Sequence, residues 1–111
     1  MASDSTFVEY VRDQISEAGQ ISFKKMFGEY AVYYEEKVIG LICDNQLFIK
    51  PTAAGRSMIG NVVEAPPYPS AKPYFLIGEQ LDDRQWMSHL IQLTAEEVPA
   101  PKPKKVKSNK P

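Results

Sequence analysis

The sequence predicts an α+β domain: a two-layer antiparallel sheet of about five strands with two main helices and one short central helix. Three observations carry this expectation. Near the start, Phe7, Val11, Ile15 and Ala18 recur with a helical period. Between residues 21 and 49, four short runs rich in β-branched and aromatic residues are parted by breaks of two or three polar residues. A helical period then returns in Trp86, Leu90 and Leu93. With 111 residues, 43% of them apolar, the chain has length for one domain and enough apolar side chains to close a core.

Each element has its own local reason. In the first helix, Thr6-x-x-Glu9 has the form of a capping box, which satisfies free N–H groups at a helix start. Gly19 stands where a left-handed C-terminal cap is expected. The runs 21–26, 30–34, 38–43 and 46–49 predict a four-strand meander, because gaps this short join antiparallel neighbours. Asp44-Asn45 suits the last turn, since both residues tolerate positive φ. Residues 51–60 predict a short helix weakened by Gly55. Residues 62–70, with Pro66, Pro67 and Pro69, predict an extended loop, and 73–77 a fifth strand with Pro73 at its edge. The final helix should start at Asp82, with Gln85 three residues on and Leu81 and Trp86 as a hydrophobic staple. Its buried stripe should be Trp86, Leu90 and Leu93, flanked by Met87 and Ile91, and it should end before Glu96. Residues 1–97 form the expected domain and 98–111 a disordered Lys/Pro-rich tail.

The strands are apolar on both faces. Tyr30, Val32 and Tyr34 oppose Ala31 and Tyr33; Val38 and Ile42 oppose Ile39, Leu41 and Cys43; Leu47 and Ile49 oppose Phe48. A sheet with one wet face alternates apolar with polar, so both faces should be covered. Two helices suffice for one. An exposed patch of Tyr33, Leu41 and Phe48 on the other predicts a two-fold homodimer. The competing expectation is that the proline loop 66–69 folds back over that face.

Charge narrows the partners. The formal net charge of −1 hides an asymmetry: from Val98 onward there are five lysines and no acid, leaving the preceding part with a balance of six negative charges. Such a body is poorly suited to phosphate. Nonspecific nucleic-acid contact should come from the tail, through Lys102, Lys104, Lys105 and Lys107. Lys24 and Lys25, set among Phe23, Met26, Phe27, Tyr30 and Tyr33, offer with Lys50 an alternative aromatic and basic face for a small ligand or single-stranded nucleic acid. No apolar run reaches the roughly 20 residues that span a bilayer, the start lacks the pattern of a signal peptide, and the single Cys43 excludes an internal disulfide. No membrane association and a cytoplasmic location are expected.

Reactive groups are few. His89 is the one histidine, without a serine or cysteine motif to activate, and reads as a half-exposed helix residue. Cys43 lies within an apolar strand, away from the electropositive setting a nucleophilic thiol needs. The glycines are scattered rather than bunched between strand and helix as a phosphate loop requires. No catalytic residue, metal ligand or cofactor is expected.

The run Met26-Phe27-Gly28-Glu29-Tyr30-Ala31-Val32-Tyr33-Tyr34, followed by Val38-Ile39-Gly40-Leu41-Ile42 and Leu47-Phe48-Ile49-Lys50, resembles the N-terminal domain of the TfoX family. The motif residues in this sequence are Met26, Phe27, Gly28, Tyr30, Tyr33 and Lys50, and the likeness extends over about residues 5–95. It departs at Glu29, where the family carries a second glycine, and competence regulators bear a second domain where this sequence has the lysine tail. The resemblance implies an antiparallel sheet with helices and a link to bacterial regulators of natural competence, which act with the cyclic-AMP receptor protein. The expected function is a non-enzymatic regulatory or protein-interaction module, an accessory to transcription regulation with a protein partner.

Overall fold

The computed structural model describes residues 3–26 and 29–99. Helix α1, Ser5–Ile15, continues into a 3-10 turn at Ser16–Ala18 and leads to strands β1 (Ile21–Met26), β2 (Glu29–Tyr34), β3 (Lys37–Cys43) and β4 (Gln46–Ile49). Helix α2 (Ala53–Ile59), strands β5 (Glu64–Ala65) and β6 (Tyr74–Ile77), a 3-10 turn at Glu79–Asp82 and helix α3 (Arg84–Glu97) complete the order. The strands make one antiparallel sheet in the order β1-β2-β3-β4-β6-β5. The α+β expectation holds, with a sixth strand added: Glu64-Ala65, expected as loop, pairs with Tyr74 and Phe75. Two residues are too few to carry a strand pattern of their own.

All three helices pack on one face. Val8, Val11 and Ile15 of α1 and Met87, Leu90, Ile91 and Ala95 of α3 close over Val32, Ile42, Leu47, Ile49, Phe75 and Ile77 of the sheet. Gly55 of α2 approaches Leu90 and Phe75 closely. The stripes differ from expectation. On α1, Val8 and Gln14 are buried where Phe7 is half-buried, and the Gln14 amide is satisfied by donating to the Leu81 carbonyl at 2.8 Å. On α3 the buried line is Met87, Leu90, Ile91, Thr94 and Ala95, rotated away from the half-buried Trp86 and Leu93. The helix also runs past Glu96 to Glu97, and its C-cap Val98 is only 8% exposed. The tail lysines, like Phe27 and Gly28, lie outside the described residues.

Helix starts are corrected as well. The α1 cap position is Asp4, not Thr6, which lies inside the helix. Asp4 is held by the β3–β4 turn instead: its N–H donates to Asn45 Oδ1 at 2.7 Å, and Asn45 Nδ2 donates to its carboxylate at 3.4 Å. The α3 cap is Asp83, whose Oδ1 accepts from the Trp86 N–H at 3.1 Å. Asp82 is taken by the Tyr10 hydroxyl, and the Leu81–Trp86 staple is out of register with this cap. Thr52 caps α2, accepting from the Gly55 N–H at 3.0 Å.

Gly19 does not form the expected left-handed cap. Its φ of 153° and ψ of −148° redirect the chain into β1, and a Cβ there would lie 2.7 Å from the Tyr34 hydroxyl. Asp44 and Asn45 have φ of 53° and 57°, as their tolerance of positive φ predicts. A register shift between Val32 and Tyr33 inserts one extra residue in β3. Ile39 thereby joins the helix-side core with Ile42, against the expected alternation.

Candidate functional site

Register sets the composition of the sheet face away from the helices. Lys24 pairs with Ala31, Ala31 with Leu41, Leu41 with Phe48 and Phe48 with Leu76, so these five side chains form one row across the sheet. Tyr33 lies two residues along from Ala31 on the same face. Tyr33, Leu41 and Phe48 thus share this face of the sheet. Their exposure is corrected: Phe48 is 3% exposed, buried between its register partners, while Tyr33 and Leu41 are half-buried.

Part of the cover comes from the proline loop. Pro67, Tyr68 and Pro69 stand over the end of the sheet near the β3–β4 turn, and Pro67 is buried. Between this roof and Met26, Glu29, Tyr30, Leu41, Cys43 and Asp44 lies a cleft of about 590 Å³. Its residues come from β1, β2, β3, a turn and a loop, so no single sequence stretch announces it. Trans prolines flanking Tyr68 hold the roof with little conformational freedom to lose. Glu29, the departure from the family pattern, anchors one wall. Its carboxylate accepts from Ser3 Oγ at 2.6 Å and from the Asp44 N–H at 3.1 Å, and Ser3 Oγ accepts from the Asn45 N–H at 3.0 Å.

The expected basic and aromatic face does not assemble. Lys24 and Lys25 are neighbours on β1 and point to opposite faces of the sheet. Lys50 follows β4 at the far end, beside Pro51, Thr52, Glu97, Val98 and Pro99. Of the family-motif residues, Met26 and Tyr30 line the cleft and Tyr33 shares the open face; Phe27 and Gly28 lie outside the described residues. Glu29, Asp44 and Tyr68 were not singled out by the sequence as site residues. Their one signal was position, two acids at turns and a tyrosine between prolines.

One thiol and two carboxylates are the charged or reactive groups the described cleft lining brings together with two tyrosines. Burial pushes the Cys43 thiol above its ordinary pKa, and the neighbouring Glu29 and Asp44 carboxylates push it further. A thiol held neutral is a poor nucleophile. Burial likewise raises Tyr74, with Tyr68 and Cys43 adding to it. His89 is exposed on α3, outside the cleft. Among the described residues no group of three His, Cys, Asp or Glu side chains could hold a metal ion, and no helix is long and apolar enough to cross a membrane.

A pH dependence follows. The fold binds the thiol proton more tightly than the unfolded chain does, so the unfolded state loses it first as pH rises. Stability should therefore fall as pH rises past the ordinary thiol range, about 8.5, and Cys43→Ala should flatten that fall. Urea melts across this range read it out; identical slopes for the two proteins would place Cys43 in a more solvated setting.

Set beside known proteins, residues 13–98 match the family described as the TfoX N-terminal domain. A Spirochaeta aurantia protein, described as an uncharacterised 12.7 kDa protein in the trpE 5′ region, is 40% identical over 111 residues. That match spans 100% of this chain and 96% of the relative, a protein of the same size. The sheet, its covering helices and the extent of the match agree: the chain belongs to the TfoX N-terminal domain family.

Proposed function

We propose that this domain is a non-enzymatic protein-interaction module that grips its partner at the roofed cleft, as an accessory to transcription regulation. The observation that carries this reading is exposure at the cleft border. Met26 is 41% and Tyr68 54% exposed, two of the largest apolar side chains left wet among the described residues, and they border the same opening. Exposed apolar groups gathered around a concavity mark interaction sites, whereas scattered ones are ordinary. A cleft with an unreactive thiol and no activated base supports holding over catalysis. The link to transcription rests on family membership, through which the cyclic-AMP receptor protein becomes the first partner to test.

Met26→Asp and Tyr68→Ala touch exposed side chains and should leave the thermal melt nearly unchanged. Calorimetric titration against the purified receptor protein should show binding that Met26→Asp weakens about tenfold or more, as loss of an anchor does. An affinity unchanged by both substitutions would take the cleft out of the function.

A further inference from the structure

Strand β1 ends the sheet: it pairs with β2 on one side, and no described strand pairs with its other side. Parity decides which backbone groups that open side carries. The Glu35 N–H donates to the Gln20 carbonyl at 2.8 Å, one step beyond the Ile21–Tyr34 pair in the β1–β2 register. Bonded pairs alternate along an antiparallel ladder, so Ser22, Lys24 and Met26 turn their N–H and C=O groups toward β2. Ile21, Phe23 and Lys25 turn theirs outward, where nothing described receives them. We propose that β1 of a second copy of this chain pairs antiparallel with this edge, about a two-fold axis at Phe23, so that the sheet continues from one protomer into the other.

Backbone, charge and side chains select the same register. Outward residues must face outward residues, so near the middle of the strand the axis can pass only through Ser22, Phe23 or Lys24. At Phe23, the two Phe23 residues bond each other and each Ile21 bonds the partner's Lys25, giving about six hydrogen bonds. An axis at Ser22 moves Lys25 opposite the partner's Gly19, outside the strand, and loses part of that ladder. An axis at Lys24 sets the two Lys24 side chains directly opposite each other, where like charges are destabilising. Edge lysines ordinarily guard against pairing. Here they exclude the slipped register, and with the axis at Phe23 each Lys24 faces the partner's Ser22 instead. The side chains agree. Ile21 and Phe23 pack against the helix-side core yet stay only half-buried, and the second copy extends that core across the edge. The two Phe23 rings meet at the axis, with the Arg12 guanidinium 4.5 Å from its own chain's ring centroid. This pairing uses the edge in place of the Tyr33, Leu41 and Phe48 face, where Phe48 is already buried by its own chain.

Sedimentation of the full chain at about 0.1 mM should show dimers. Lys25→Pro removes an outward N–H at an exposed edge position, where proline is tolerated. It should shift the protein to monomers and leave the thermal melt nearly unchanged. Register is read by oxidative cross-linking of variants at exposed positions, Cys43 being buried. Mixing Ser22→Cys protein with Lys24→Cys protein places the new thiols opposite each other, at a spacing that a disulfide spans. The mixture should cross-link several-fold faster than either variant alone, because like positions then stand too far apart. Monomers at this concentration overturn the proposal, as do dimers that survive Lys25→Pro. So does a mixture that cross-links no faster than Lys24→Cys protein by itself. The cross-linking arm contains no proline, so it decides the pairing even where Lys25→Pro unfolds the chain.

Discussion

Gly40→Ala should destabilise the domain by about 3 kcal/mol, the upper end of what overpacking usually costs. A Cβ at this position would lie 2.5 Å from the Phe48 carbonyl oxygen and 3.1 Å from Ile49 Cδ1. The first of these atoms is backbone of the adjacent strand, so no rotamer change relieves the contact. Strands β3 and β4 must part, at the point where Gly40 pairs with Ile49 and beside the bulge opposite Val32 and Tyr33. For a domain of this size, with total stability of about 10 kcal/mol, that is a substantial share. Gly78→Ala is the control: its nearest neighbour would be Gln80 Oε1 at 3.8 Å, and the change should stay within about 0.5 kcal/mol. Urea unfolding distinguishes them, and a Gly40→Ala protein as stable as the parent would show that the strands sit further apart than described.

Phe75→Ala should cost about 3–5 kcal/mol, the range for removing a buried aromatic side chain. Phe75 is 1% exposed on β6, paired with Ile49 on one side and Glu64 on the other. Its ring closes the space beneath α2, where the Gly55 Cβ position would come within 3.3 Å of it. The Arg56 guanidinium lies 5.3 Å from the ring centroid, an exposed cation–π contact worth about 0.5–1 kcal/mol. Losing the ring empties a site walled by two helices and the sheet, which cannot all collapse inward together. Phe75→Leu keeps most of the volume and should cost clearly less than the alanine change. Equal losses in equilibrium unfolding would mean that ring shape rather than volume holds α2 in place.

Legibility in the sequence followed the range of the interactions. Strand bounds were readable within about a residue because each run is set off by its own turn residues, and Asp44-Asn45 adopts the positive φ that its composition favours. Helix starts were less readable. Asp82 and Asp83 are chemically equivalent caps, and the choice between them falls to Tyr10, 72 residues away in sequence from Asp82, whose hydroxyl bonds the Asp82 carboxylate. At the other end of the chain, Asn45 holds Asp4 across 41 positions. The Ile39 side chain turned inward because of a one-residue register shift, which arises from pairing and leaves no mark in β3 alone.

The sequence by itself determined the three helices, five of the six strands, their order and the β3–β4 turn, because these depend on residues a few positions apart. Only the tertiary structure decided which face the helices close, how Phe48 becomes buried, and that Met26, Leu41 and Asp44 meet the loop at Pro67, Tyr68 and Pro69 to form a cleft. Those contacts join residues more than 20 positions apart, where burial and complementary shape select the arrangement and local propensity carries no information about it.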